Sequence, residues 1–127
     1  MLTNTQLLTI LPAIDLSRVK KFYTEKIGLK VSKESAGGIF FEDENGSLNL
    51  YIYKRGPTKA DHTVASFMVE DIEKEVIELK EKGVVFEEYD SPVTKTVNSI
   101  ATVEGGRSSW FKDTEGNILS VTSMDKD

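Results

Sequence analysis

One histidine, one tryptophan, four tyrosines and no cysteine set the chemistry this chain can attempt. Without thiols it has no thiolate nucleophile, no disulfide and no sulfur ligand for a metal. A single imidazole, His62, leaves no legible Ser–His–Asp arrangement. Gly37-Gly38 and Gly105-Gly106 lack the spacing of loops that cradle phosphates. His62 closes a run of ionisable residues and reads first as a linker-end surface side chain, and second as a general base or ligand contact. No catalytic residue is assigned. What remains is the chemistry of binding. Trp110 can stack on a planar ligand or hold a cation against its ring face, or it can fill a core or a subunit interface. Tyr51 and Tyr53 alternate with apolar residues and can rim a site or lie at a strand edge. Met68 offers an adaptable apolar contact or plain packing. Arg107 follows a flexible glycine pair and can grip a carboxylate or phosphate, or stay solvated. The acidic clusters Glu42-Asp43-Glu44 and Glu87-Glu88 with Asp90 read first as solvated turns, and second as an attraction for a cationic ligand.

These residues must be positioned by a chain of 127 residues, long enough for one domain with its own core. The net charge of −5 argues against nucleic acid, which requires clustered Lys and Arg. No run of about 18 apolar residues is present, so no membrane span is expected. The first residues carry no basic segment ahead of their apolar stretch, so no secretory signal is expected. Together with the lack of cysteine, this makes a cytoplasmic location the expectation.

The chain states one pattern twice. Asp15 to Gly28 reads DLSRVKKFYTEKIG and Asp71 to Gly83 reads DIEKEVIELKEKG. Each follows a short β-like run and precedes a glycine-bearing hairpin signal, Asp43-Glu44-Asn45-Gly46 or Asp113-Thr114-Glu115-Gly116. A repeat of this length is a statement about architecture. Asp15 or Ser17 can cap the first helix and Asp71 the second, and Gly28 and Gly83 stop them. Val19, Phe22, Tyr23 and Ile27 form the apolar stripe of the first helix; Ile72, Val76, Ile77 and Leu79 form that of the second. Strands are expected at 7–13, 29–35, 39–42, 48–53, 64–69, 84–89, 107–112 and 118–123, with 93–106 the least regular stretch. Pro12 demands an edge strand or a strand end. The expected organisation is a single domain, with module one at about 6–53, a linker at 54–62 and module two at about 63–123.

Three segments, ILPAIDLSRVKKFYTEKIGLKV, FMVEDIEKEVIELKEKGV and GGRSSWFKDTEGNILSV, resemble in order and spacing the vicinal oxygen chelate superfamily. That superfamily comprises glyoxalase I, extradiol dioxygenases, fosfomycin-resistance enzymes and bleomycin-resistance proteins. Thr114 stands where the family pattern has proline. The resemblance covers about Leu7 to Ser123. It implies an α+β fold of two βαβββ modules forming a curved, cup-shaped mixed sheet with helices on the outer face, usually in a homodimer. In the family's metal enzymes a divalent ion is held by His, Glu or Gln at four positions. Counted onto this chain, these fall at Leu8, at Leu50 (or Tyr51, one residue on), at Val64 and at Ser120. None is a good ligand, so neither a metal nor another cofactor is expected.

Strand alternation places Leu7, Leu11, Ala13, Ala65, Phe67, Val69, Phe111, Leu119 and Val121 against the helices. It turns Leu8, Ile10, Pro12, Leu50, Ile52, Val64, Ser66, Met68, Trp110, Lys112, Ser120 and Thr122 to the opposite face. That second set has apolar walls with sparse polar anchors, the composition of a small-molecule site. The expected ligand-binding residues are Trp110, Tyr51, Met68, Ser66, Ser120, Leu50, Arg107 and His62. The resemblance implies a metal-free protein, nearest the bleomycin-resistance branch, that sequesters a planar or cationic small molecule as a homodimer, without nucleic acid or membrane partners. The alternative is a lyase, transferase or dioxygenase of the same superfamily with a divergent metal site or none.

Overall fold

The computed structural model describes residues 1–126 and divides into two compact units, Met1–Thr58 and Lys59–Asp127. In the first, β1 (Thr9–Ala13) leads to α1 (Leu16–Lys21), which continues as a π-helical turn (Phe22–Ile27) before β2 (Lys30–Ser35), β3 (Gly38–Glu42) and β4 (Leu48–Lys54). The strands lie in the order β1-β4-β3-β2, with β1 parallel to β4 and the other pairs antiparallel. In the second, β5 (Thr63–Met68), α2 (Ile72–Glu81), β6 (Ala101–Val103), β7 (Gly106–Lys112) and β8 (Ile118–Met124) repeat this wiring in the order β5-β8-β7-β6. Each unit is a βαβββ module of an α+β fold with its own mixed sheet. Pro12 lies on the edge strand β1, where its missing N–H costs no ladder bond.

Both helices start as their sequences dictate. The Asp15 carboxylate accepts the Arg18 N–H at 3.0 Å, and Asp71 accepts that of Lys74 at 3.2 Å. Gly28 ends the first helix at φ 93°, where its N–H donates to the Tyr23 carbonyl. Val19 and Tyr23 are fully buried, and Tyr23 meets Phe41 at 5.8 Å between ring centroids. In α2, Ile72 and Val76 are buried and Leu79 half-buried, while Ile77 points out at 57% exposure. The stripe is therefore i, i+4, i+7, and Ile77 lies outside it.

The two hairpin turns share one device. Asp43 Oδ1 accepts the N–H groups of Asn45 and Ser47, and Asp113 Oδ1 accepts those of Glu115 and Asn117. Gly46 and Gly116 follow at φ 82° and 85°, a backbone conformation that other residues seldom adopt. Asp43 is half-buried, whereas Asp113 is buried and also receives the Asn117 side-chain amide at 2.9 Å.

Two expectations about elements fail. Residues 84–89 form no strand: Phe86 makes a single bridge to Phe111, and the Glu87 N–H donates to the Trp110 carbonyl at 2.7 Å. Ser91-Pro92 then turns the chain, and the partner strand of β7 is the short β6 instead. Leu7, expected in the core, precedes β1 and is 94% exposed. No helix among the described residues is long and apolar enough to cross a membrane.

Candidate functional site

Residues paired across neighbouring strands share a sheet face, so the register sorts side chains without ambiguity. In module two, Ser66 pairs with Ser120, which pairs with Trp110; Met68 pairs with Thr122, which pairs with Ser108. These residues, with Lys112 on β7, form the face turned away from α2. The opposite face carries Phe67, Phe111, Leu119 and Val121, of which the last three are buried. Ser66, Met68, Trp110 and Ser120 thus share one face, on which Ser108 and Ser120 are buried.

The face is built like a binding wall. Trp110 is half-buried, and Tyr89 meets it edge-on at 5.4 Å between ring centroids and 77° between planes. Burial, and then the Glu87 carboxylate, push the Tyr89 phenol above its usual range, so it stays a neutral donor. Beside the rings runs a row of hydroxyls. Ser66 Oγ lies 2.9 Å and Ser108 Oγ 2.7 Å from Thr122 Oγ1. Three hydroxyls supply three donors, and two mutual bonds consume two of them, so one O–H is left over. Met68 is 61% exposed at the edge strand β5. Lys112 Nζ lies 3.9 Å from Glu87 Oε1.

Module one presents an aromatic counterpart. Ile10 pairs with Tyr51 and Tyr51 with Phe40, while Pro12 pairs with Tyr53 and Tyr53 with Gly38. By wiring, Tyr51 occupies the place of Ser120, and Phe40 that of Trp110. Phe40 and Tyr51 meet at 4.3 Å between ring centroids, their planes tilted by 36°. Asn49 lies at the register shift between β3 and β4, and its amide oxygen is buried without a hydrogen-bond partner.

The register corrects three expected site residues. Leu50 pairs with Phe41 and lies on the face of Leu11 and Ile52; it is 4% exposed and packs in the helix-covered core, as does Ile52. Strand alternation was read one residue out in β4, so Tyr51 rather than Leu50 faces the open side. Arg107 pairs with Ser123 and falls on the helix side of its sheet, opposite Trp110, where its Nη1 meets Glu73 Oε1 at 2.6 Å. His62 precedes β5, with a side chain 73% exposed and 3.7 Å from the Asp61 carboxylate, and shares no strand face with the others. Sequence reading missed Phe40 and Tyr89. Phe40 was available from aligning the two modules; Tyr89 was not, because 84–89 does not form the strand its pattern implies.

None of the positions expected to hold a metal carries His, Glu or Gln. The open-face positions of the last strands hold Tyr51 and Ser120, and the first strands offer Leu8 nearby and Val64 in a bulge. Among the described residues no group of three or more His, Cys, Asp or Glu could hold a metal ion.

Residues 6–121 match the model of the Glyoxalase/Bleomycin resistance protein/Dioxygenase superfamily. Solved structures of this fold align over nearly the whole chain. The antibiotic-binding protein TnmS3 from Streptomyces sp. CB03234 is 15% identical with a TM-score of 0.67, covering 97% of this chain and 99% of that one. The genomically encoded fosfomycin resistance protein FosX from Listeria monocytogenes is 17% identical with a TM-score of 0.67, covering 96% and 92%. Lactoylglutathione lyase from Agrobacterium tumefaciens is 20% identical with a TM-score of 0.65, covering 95% of each chain. No curated protein matches the sequence. With paired βαβββ modules and a family match over residues 6–121, the chain belongs to the glyoxalase/bleomycin resistance protein/dioxygenase superfamily.

Proposed function

We propose that this protein is a metal-free member of the superfamily that sequesters a planar or cationic small molecule, as antibiotic-resistance binding proteins do. The observation that carries the reading is the open face of module two. A half-buried Trp110, held edge-on by Tyr89, stands beside the uncommitted hydroxyl of the Ser66–Thr122–Ser108 row. An indole face attracts flat rings and cations, and a single O–H donor fixes orientation without strong charge. In module one Phe40 and Tyr51, 4.3 Å apart between ring centroids, offer a second aromatic wall. TnmS3, of the same fold, is described as binding an antibiotic. The donor-poor positions Leu8, Tyr51, Val64 and Ser120 support a metal-free site.

The binding face is tested by titrating the protein with a panel of planar cationic and aromatic antibiotics. Trp110 fluorescence and calorimetry are the two readouts. Saturable binding at micromolar concentration with quenching of Trp110 supports the proposal; no binding below the millimolar range across the panel rejects it. We propose further that the protein acts as a homodimer. Ile10 and Met68, on the edge strands β1 and β5, are 57% and 61% exposed and supply apolar surface for a second copy. Light scattering at micromolar concentration decides between one and two chains.

A further inference from the structure

Module two contains a concavity away from Trp110. It is a groove of about 960 Å³ between the outer side of α2 and the segment 91–102, within the size range of small-molecule sites. Its walls mix aliphatic side chains with polar and charged ones. Ile77, Val93 and Val97 line it at 57%, 94% and 65% exposure, and Val76, Pro92 and Ile100 complete the apolar surface. Among the described residues no aromatic side chain lines it, so a flat ring finds nothing there to stack on, whereas a flexible alkyl chain finds methyl groups on both sides.

Its charge runs against that of the chain. The protein carries −5, yet the groove is lined by three cations, Lys80, Lys95 and Arg107, and one carboxylate, Glu73. Glu73 is committed to Arg107 at 2.6 Å. Among the described residues neither lysine has an ion-pair partner within 4.0 Å; Lys80 feels the Glu88 carboxylate at longer range.

The far wall is a strained hairpin. Val97 and Ile100 exchange both backbone hydrogen bonds, at 2.8 and 3.1 Å, around Asn98 and Ser99, which have φ of 53° and 71°. This conformation is unfavourable for serine. It is held by Glu88, whose carboxylate accepts the buried Ser99 hydroxyl and, at 2.8 Å, that of Thr96. Strain of this kind gathers at ligand clamps, and Asn98 lines the groove.

We propose that this groove binds an amphipathic carboxylate, its alkyl chain lying along Ile77, Val93 and Val97 and its anionic head between Lys80 and Lys95. The site is independent of the aromatic face, because its residues lie on the helix side of the sheet.

The test is calorimetric titration of the full chain with decanoate below its micellar concentration, with decanol and decyltrimethylammonium as neutral and cationic controls. One saturable site for decanoate is expected, with weaker binding of decanol and none of the cation. In Lys80→Glu/Lys95→Glu, decanoate affinity should drop by roughly tenfold or more, since each exposed charge contact contributes up to a few-fold and reversal adds repulsion. Trp110→Ala should bind decanoate unchanged, which separates this site from the one proposed above. Circular dichroism checks that each variant is folded. The proposal is overturned if decanoate does not saturate, if decanol binds as tightly, if the double variant binds as wild type, or if Trp110→Ala abolishes binding.

Discussion

The phenol ring of Tyr51 lies across the backbone of Gly38, so that a β-carbon at residue 38 would meet the ring's Cζ at 2.5 Å and the Ile52 carbonyl oxygen at 2.8 Å. Glycine is required there for space, and φ plays no part. The aromatic ring covers the bare strand and is held from its other side by Phe40 at 4.3 Å. The wall of module one thus depends on a residue that presents no side chain to a ligand.

Gly38→Ala should displace Tyr51 and break its contact with Phe40. The expected cost is about 1–3 kcal/mol, the range for overpacking a filled site. Thermal denaturation with near-ultraviolet circular dichroism checks both effects. A variant with wild-type stability and an unchanged aromatic signal would show that the ring is not pinned there.

Trp110→Ala should weaken binding of a planar or cationic ligand by 10-fold or more, about 1.4 kcal/mol or above, with little loss of fold because the indole is only half-buried. Trp110→Phe should recover part of the affinity for a planar ligand and less for a cation, since phenylalanine has the weaker cation–π face. Equal affinities in all three proteins would remove Trp110 from the site.

The paired turns give an internal control. Asp113→Ala leaves two backbone N–H groups and the Asn117 side-chain amide without their acceptor in a buried place. It should destabilise by about 2–4 kcal/mol. Asp43→Ala removes the same contacts from Asn45 and Ser47, which are exposed and can turn to water, and should cost about 1 kcal/mol or less. Chemical denaturation of the two variants measures the difference, and equal losses would refute burial as its cause.

Acid should loosen the 94–100 hairpin. The hydroxyls of Ser99 and then Thr96, bonded to Glu88, hold its carboxyl below the usual carboxylate range. The folded form therefore takes up a proton less readily than the unfolded chain. The stabilisation is complete above the ordinary carboxylate range and is lost as pH falls through the depressed one. Glu88→Gln should flatten that part of the stability–pH curve while lowering stability at neutral pH. Amide exchange at Val97 and Ile100, followed against pH, shows whether the loss is local.

Millimolar Zn²⁺, Mn²⁺ or Ni²⁺ should leave the melting temperature unchanged, because a ligand stabilises only in proportion to its binding of the native state and Leu8, Tyr51, Val64 and Ser120 supply no donor set. A rise of several degrees with one metal per chain would show donors outside this set and reopen metal-assisted catalysis.

The repeat, the capping aspartates, the helix-ending glycines and the turn signals are local, and the sequence alone determined them. They establish two βαβββ modules because each rests on a few consecutive residues with one dominant conformation. Alternation in β5, β7 and β8 was legible too, and it put Ser66, Met68, Trp110 and Ser120 on one face. In β4 it failed: Leu48 to Tyr53 is apolar or aromatic at nearly every position, so period two has two solutions, and only pairing with Leu11 and Phe41 buried Leu50 and turned Tyr51 outward. Arg107 was placed on the helix side by its register with Ser123 and by Glu73, 34 residues away in sequence. Tyr89 reached Trp110 because the segment after Phe86 leaves the ladder, a choice made by its one bridge to Phe111 and the turn at Ser91-Pro92. Local conformation is written in neighbouring residues; which face a side chain joins is decided by partners that folding brings from a distance.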